Sequence, residues 1–253
     1  MPYPYPVLTP LAHRSFPPPR SPWVAKQLWE DLLFLNYPIA PEALATTLPT
    51  GLLPDVFEGQ AWVSIVPFNL RMAPRGCPKG YWPLAFAELN VRTYVVAKGV
   101  PGVFFYSLDA SDPVAVAGAR WLYQLPYFNA QCALHHNEGS RVTFTSRRRH
   151  KGAPASQFIA HYTPTDTGLA PHEAALAQWL TSRWCFFTAN RWAKLGGLIQ
   201  GHIHHEPWPL QPAHVDLETN TLLADWQLPV KDTSVTAYYA SRVHVVNWLP
   251  ATL

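Results

Sequence analysis

Short runs of alternating apolar and polar residues, rich in Val, Tyr, Phe and Trp, dominate the chain after Trp23. Runs of this kind, bounded by Gly, Pro and Asn, predict β-strands. Neighbouring runs meet across tight turns such as Lys98-Gly99, which favours antiparallel hairpins over βαβ units. The predicted strands cover 24–35, 55–57, 61–70, 88–97, 102–110, 127–136, 141–149, 157–162, 198–205, 215–218 and 235–248.

Helical signals are fewer than strand signals. They cover 41–48, 113–123 and 173–184. In the last of these, Leu176, Trp179, Leu180 and Arg183 are spaced for one buried stripe. No repeat and no clean linker follows residue 22. The sequence therefore predicts an α+β fold that is mainly antiparallel β, formed by a single domain over 23–253 with a few flanking helices.

The N-terminal residues 1–22 are rich in proline and predict an extended arm without a core of its own. Such an arm is either a docking peptide or a simple leader. No basic-then-apolar signal pattern and no membrane-length apolar run follows, and the three cysteines form no CxxC pair. We therefore expect a cytoplasmic protein with no membrane partner.

Charge changes this picture only slightly. Charged residues make up 14% of the chain, below the usual quarter, so part of the surface is expected to be apolar or covered, for example in a homo-oligomer. The net charge of +3 disfavours nucleic acid as a partner. The basic run 147–150 is interpreted as a solvated hairpin tip, with anion binding as the alternative.

The segment 88–95 is the most informative part of the sequence. Side chains alternate along a strand, so Glu88, Asn90, Arg92 and Tyr94 share one face. A row of carboxylate, amide, guanidinium and phenol suits a small polar ligand better than open solvent. The alternative is an ordinary solvent-exposed face.

The following strand adds a second pair of polar groups. Ser107 and Asp109 share a face opposite Tyr106 and Leu108. If both hairpin strands turn these faces inward, Asp109 joins Glu88 and Arg92 in one buried network, since buried charges need partners. The alternative is that Arg92 only neutralises a carboxylate.

A metal site is considered at His202, His204 and His205. Two of these imidazoles would point the same way on a strand, but a metal needs a third or fourth ligand. Packed or surface histidines are the simpler interpretation, and we expect no metal and no cofactor.

Three stretches resemble the YqjF-like proteins of the acetoacetate decarboxylase-like superfamily. They are Trp29–Phe34, Glu88–Val95 and His204–Pro212. The resemblance implies a curved antiparallel sheet that wraps into a cone or barrel with a central cavity. It also places Tyr127-Phe128 where the decarboxylases carry a lysine pair, and Glu88 at a pocket glutamate.

The decarboxylases use one lysine of that pair to form a Schiff base, and neither Tyr127 nor Phe128 can form an imine. Of the six lysines, only Lys26 lies in a predicted strand, and the others lie in turns and loops. We therefore do not expect lysine-dependent decarboxylation.

Three functions remain open. The first is an enzyme for a small carboxylate or keto compound, in which Glu88 is the acid/base and Tyr127 donates to an oxyanion. In it, Arg92 or Arg120 binds the carboxylate, and Asn90, Tyr94 and Asp109 complete the pocket. The second is a non-catalytic binding protein for a small apolar or aromatic ligand. The third is an interaction module that docks through its Pro-rich arm.

Overall fold

The computed structural model describes residues 11–192, 197–230 and 235–253. The helices are α1 (Pro41–Ala45), α2 (Pro113–Leu122) and α3 (Pro171–Thr181). The strands are β1 (Ala25–Ile39), β2 (Leu53–Pro54), β3 (Ala61–Pro74), β4 (Leu84–Ala97), β5 (Val100–Ala110), β6 (Tyr127–His136), β7 (Val142–Arg148), β8 (Gln157–Pro164), β9 (Cys185–Ala189), β10 (Leu198–His205), β11 (Leu210–Asn220), β12 (Thr236–Asn247) and β13 (Ala251–Thr252).

The strands form one sheet that closes on itself in two ways. The strands β12, β1, β3, β4 and β5 are neighbours in that order and form a central portion. The first closure runs from β5 through β6, β7, β8 and β11 to β12. The second closure runs from β5 through β9 and β10 to β12. The cone or barrel that we expected is thus approximate, because two closures share the central strands.

The predicted fold class is confirmed, with one refinement of strand direction. Most pairs are antiparallel, but β5 pairs in parallel with both β6 and β9. Helix α2 connects β5 to β6, and a parallel pair needs such a crossover. The tight turn at Lys98-Gly99 joins β4 to β5, and both of its residues have positive φ, as a type I′ hairpin requires.

Several predicted elements differ from the structure in length or partner. Helix α3 ends at Thr181, so Arg183 lies in the connection to β9, a strand that we did not predict. The run Cys185–Ala189 is short and lacks polar alternation, so only its pairing with β5 and β10 defines it. The predicted hairpin strand 55–57 is reduced to one antiparallel bridge between Phe57 and Gln60 across the turn Glu58-Gly59, and β2 precedes it and pairs with β4.

The central strands have apolar side chains on both faces. Face A carries Leu33, Val63, Leu89 and Val91, and packs on β7 and β8. Face B carries Phe34, Trp62, Phe68, Phe86 and Tyr94, and packs on α2, α3 and β9. Because each strand alternates between two buried faces, polar residues on either face leave water when the chain folds.

A β-bulge in β5 changes which of its side chains point to face A and which to face B. Val91 pairs with Ser107 and Arg92 pairs with Phe105, so Tyr106 is an extra residue between them. Tyr106 therefore packs on face A with Val91, whereas Leu108 packs on face B. The prediction that Tyr106 and Leu108 share a face is wrong for this reason.

The described part of the N-terminal arm contacts β10. His13 Nε2 lies 2.9 Å from the carbonyl oxygen of His205, and Arg14 donates to the carbonyl of Ile203 at 2.7 Å. Residues 1–10 lie outside the described residues, so the arm and the single domain over 23–253 stay predictions. None of the described helices is long and apolar enough to cross a membrane.

The packing of β9 against β10 generates a stability prediction. A Cβ on Gly201 would lie 2.1 Å from Cζ of Phe186, whereas a Cβ on Gly118 of α2 would meet nothing within 4 Å. We expect Gly201→Ala to lower the free energy of unfolding by about 1–3 kcal/mol through overpacking. Gly118→Ala should raise it by about 0.5–1 kcal/mol, because Gly is costly inside a helix.

Urea denaturation of both variants and the parent chain measures these changes. A Gly201→Ala variant as stable as Gly118→Ala would contradict the close contact between β9 and β10.

Candidate functional site

Glu88 and Tyr127 meet on face B. Tyr127 is the first residue of β6 and pairs in parallel with Leu108 of β5, which in turn pairs with Asn90 of β4. This register places the tyrosine beside Glu88, and its hydroxyl donates to Glu88 Oε2 at 2.8 Å. The two residues that the resemblance singled out are therefore hydrogen-bonded to each other.

Burial controls the protonation of this pair. Glu88 is only 2% exposed, and desolvation raises its pKa from the ordinary 4.5 to about 7, against the opposing effect of hydrogen bonds from Tyr127 and Asn90. Burial and the neighbouring carboxyl raise the pKa of Tyr127 well above 10, so its hydroxyl keeps its proton. The pair therefore combines a carboxyl that changes charge near neutral pH with a permanent donor.

The polar row on β4 is buried. Glu88, Asn90, Arg92 and Tyr94 are 2%, 5%, 7% and 0% exposed, which excludes the solvent-face alternative. Tyr94 lies within 2.7 Å of Ser64 Oγ, which donates to Asn36. Tyr94 is therefore held in a structural network rather than presented freely to a ligand.

Three polar atoms near this row have no hydrogen-bond partner among the described residues. They are Asn90 Oδ1, Arg92 Nε and Trp62 Nε1. Buried polar atoms are rarely left unpaired in folded proteins. One acceptor and two donors on face B are therefore available to a ligand that reaches them.

Aromatic rings surround the arginine of this row. The guanidinium carbon of Arg92 lies 5.2 Å from the Phe34 ring centre and 5.6 Å from that of Tyr94. The ion pair of buried Arg183 with half-buried Asp55 lies on the same Tyr94 ring, whose centre is 5.0 Å from the Arg183 guanidinium, and that guanidinium lies 4.2 Å from the ring centre of Trp179. In the sequence, Arg183 stands out as a charged residue within the predicted apolar stripe of α3. No sequence pattern indicated that Asp55 would be its partner.

Asp109 does not join this group. It pairs with Leu89 and so lies on face A, because directly opposed residues share a face. There it accepts from Arg148 Nε at 2.8 Å, and Arg148 also binds Asp225 at 3.1 Å. The predicted network of Glu88, Arg92 and Asp109 is wrong, since the sheet separates Asp109 from the other two.

The second network was not predicted. The side chains of Asp109 and Arg148 are both 1% exposed, and burial raises the pKa of Asp109 to about 6 despite the arginine. We expected the basic run 147–150 at a solvated tip, and that is wrong for Arg148. Strand alternation buries this residue on face A between exposed Arg147 and Arg149.

Arg120 also lies apart from the carboxyl of Glu88. Its guanidinium donates to the backbone carbonyl of Tyr127 at 2.6 Å and lines a pocket outside α2. Glu88 is not among the described lining residues of this pocket, and a cavity shared by Arg120 and Glu88 stays a prediction.

No described lysine lies beside the Glu88–Tyr127 pair. Lys26 is buried in β1, but it donates to the carbonyls of Cys77 and Pro78 at 3.3 and 3.0 Å. The side chains of Lys79, Lys98 and Lys151 are exposed. Lys194 and Lys231 lie outside the described residues.

The histidine cluster on β10 is packed with aromatic rings. His205 stacks on Trp184 with ring centres 4.3 Å apart, and burial lowers its pKa to about 3. His204 is buried and His202 is half-buried. Within the described ranges, no group of three or more His, Cys, Asp or Glu residues could hold a metal ion.

Comparison with known protein families shows to which family the chain belongs. The model of a family described as "uncharacterized conserved protein (COG2071)" matches residues 26–244. The chain belongs to this family. It is 35% identical over 231 residues to uncharacterized protein YqjF of Bacillus subtilis strain 168, a match that covers 91% of this chain and 93% of that protein. The YqjF-like resemblance is thereby confirmed.

Solved structures with a similar fold include an acetoacetate decarboxylase-like enzyme and an enzyme of enduracididine biosynthesis. An acetoacetate decarboxylase-like enzyme from Sphingomonas wittichii RW1 has a TM-score of 0.62 at 15% identity, with 95% of this chain and 98% of that chain covered. The enduracididine biosynthesis enzyme MppR in complex with pyruvate has a TM-score of 0.59 at 14% identity, with 94% and 91% covered. At these identities the similarity shows the fold of the family and not an activity.

The Tyr127–Glu88 contact predicts how the carboxyl titrates. Because the tyrosine's hydrogen bond stabilises the carboxylate, Tyr127→Phe should raise the pKa of Glu88 above about 7. Carbon-13 NMR of labelled glutamate carboxyls measures this titration. The control is Tyr123→Phe, since the Tyr123 hydroxyl accepts from Asn247 instead. An unchanged Glu88 titration in Tyr127→Phe would contradict the contact.

The raised pKa of Glu88 also predicts a pH dependence of stability. The folded chain holds this proton up to about pH 7 and the unfolded chain only to about 4.5, so the stabilisation is complete below pH 4.5 and is lost as pH rises through 7. Glu88→Gln should therefore flatten the fall in unfolding free energy over this range, as measured by urea denaturation at several pH values.

The control for this prediction is Glu138→Gln at an exposed turn, which should leave the pH profile unchanged. A Glu88→Gln profile that matches the parent would show that Glu88 ionises normally in the fold.

Proposed function

We propose that face B binds a small carboxylate or keto compound at the Glu88–Tyr127 pair and that Glu88 exchanges a proton with it. The supporting observation is the buried Glu88 carboxyl, whose pKa of about 7 allows it to accept and return a proton at neutral pH. The cavity that such a ligand requires on face B stays a prediction.

The spacing on β4 limits how the ligand is held. Arg92 lies four positions after Glu88, which corresponds to about 13 Å along a strand. A molecule as small as pyruvate does not span that distance between the two backbones. The side chains must therefore lean toward each other, or the ligand carries its carboxylate several bonds from the reacting carbon.

The proposed chemistry is proton transfer next to a carbonyl. The Glu88 carboxylate removes a proton from the carbon beside the carbonyl, and the resulting enolate carries the charge on oxygen. Once Glu88 holds the proton, the single hydroxyl hydrogen of Tyr127 turns from Glu88 Oε2 to that oxygen and stabilises it, because the raised pKa of the phenol keeps this hydrogen on Tyr127. Glu88 then returns the proton to carbon.

Imine chemistry has no support at this position. The resemblance places Tyr127 and Phe128 at the position of the decarboxylases' lysine pair, and the Glu88 carboxyl accepts a hydrogen bond from a phenol instead of an amine. The proposal therefore departs from the reaction of the decarboxylases while using the same part of the fold.

The alternative is a binding protein without turnover. Its support is the aromatic character of face B, where Trp29, Trp62, Trp179 and Trp208 pack around the polar row. An apolar or aromatic ligand would gain from these rings without using Glu88. A cytoplasmic location, a homo-oligomer and the docking role of the arm also remain proposals.

Hydrogen exchange tests the enzyme without knowledge of the natural substrate. We expect the parent chain in deuterated water to exchange the protons beside the carbonyl of at least one of pyruvate, acetoacetate and 2-oxobutanoate, as seen by proton NMR. Glu88→Gln should slow this exchange by about 10²–10⁴-fold, the usual contribution of a positioned acid/base. Tyr123→Phe is the control and should exchange at the parent rate.

Two results would decide against the proposal. Exchange at the parental rate in Glu88→Gln would remove the acid/base role from Glu88. Binding of these compounds by the parent chain without any exchange would favour the binding protein.

Borohydride reduction tests the absence of an imine. We expect no mass increase on any lysine after incubation with these keto acids and reductant, because the lysine pair is replaced. A reduced adduct detected by peptide mass spectrometry would show that a lysine acts after all.

A further inference from the structure

A second site is suggested by the pocket outside α2. It has a volume of about 480 Å³ and lies between α2, β6 and the turn that follows β9. Its cationic or titratable lining residues are Arg120, Arg191 and His150, and no carboxylate lines it. This charge pattern favours an anionic occupant.

The two arginines are held near each other. Both line the same pocket, and the pKa of Arg120 is lowered first by burial and then by the like charge of Arg191. Neither arginine has an ion pair among the described salt bridges. An anion between them would relieve this repulsion and could accept from both guanidinium groups.

Two exposed indoles lie in the lining of the same pocket. Trp121 is 70% exposed and Trp192 is 64% exposed, and both line the pocket beside the arginines. Large aromatic side chains at this exposure gain little from the fold itself. Flat indole faces next to guanidinium groups suit an aromatic ring that carries an acid group.

The pocket is preformed by a buried glutamine. Gln124 is 3% exposed, and its Oε1 accepts from the backbone N–H of Arg191 at 2.7 Å. Its Nε2 donates to Asn190 at 3.4 Å, and Asn190 in turn accepts from the backbone of Trp192 at 3.1 Å. These bonds fix the turn that carries Arg191 and Trp192 against the end of α2.

An unpaired acceptor points to a ligand as well. Asn129 also lines the pocket, and its Oδ1 is buried without a hydrogen-bond partner among the residues that the structure describes. A hydroxyl or amino group on the bound molecule could donate to it.

We propose that this pocket binds a small aromatic anion, an aryl carboxylate or an aryl phosphate, at a site separate from Glu88. The acid group lies between Arg120 and Arg191, and the ring lies against Trp121 and Trp192. Arg120 also binds the carbonyl of Tyr127, so the occupied site adjoins the strand that carries the tyrosine of face B.

Calorimetry with four probes tests this site on the full chain. Benzoate and phenyl phosphate carry both the ring and the acid, cyclohexanecarboxylate lacks the aromatic ring, and benzamide lacks the charge. We expect the tighter aromatic anion to bind about tenfold more strongly than either of the last two, and the ranking of the two anions identifies the acid.

Matched variants locate the binding. Arg191→Gln removes an exposed charge and leaves the backbone hydrogen bond to Gln124. It should therefore lower the affinity for the aromatic anion by about tenfold. Arg147→Gln removes an equally exposed arginine outside the pocket and should bind as the parent does. Glu88→Gln should also bind as the parent does, which separates this site from the proposed function.

Three outcomes would overturn the proposal. The first is that neither aromatic anion binds, and the second is that the anions and benzamide bind with equal affinity. The third is that Glu88→Gln, rather than Arg191→Gln, lowers the affinity for the aromatic anion.

Discussion

The burial of β4 on both faces is the constraint on which the rest of the structure depends. Its neighbours β3 and β5 cover its edges, while β7 and β8 pack over face A and α3 and β9 over face B. A carboxyl, an amide and a guanidinium on this strand therefore cannot reach bulk water. Each must find a protein partner, change its charge or bind a ligand, since unpaired buried charges are costly.

The two faces meet this constraint differently. On face A, Asp109 forms an ion pair with Arg148, yet burial still raises its pKa to about 6. On face B, burial raises the pKa of Glu88 to about 7, and its hydrogen-bond partners Tyr127 and Asn90 are neutral. A buried carboxyl without a cationic partner lowers stability once it ionises, which is the physical reason to look for function on face B.

The partner of Glu88 limits the chemistry that face B can perform. Tyr127 donates a hydrogen bond to the carboxyl, and neither side chain can form an imine with a ketone. Outside face B, Arg120 binds the backbone carbonyl of Tyr127 and also lines the pocket outside α2.

The sequence by itself determined most of the strands, the polar row 88–94 and the likeness to YqjF, because alternation and local motifs depend on consecutive residues. Only the tertiary structure decided that Asp109 and Arg120 lie apart from Glu88 and that Tyr127 lies against it. Those outcomes depend on the extra residue in β5, the parallel pairing with β6 and the crossover of α2. Such register and topology arise from contacts between distant segments, which no local pattern encodes.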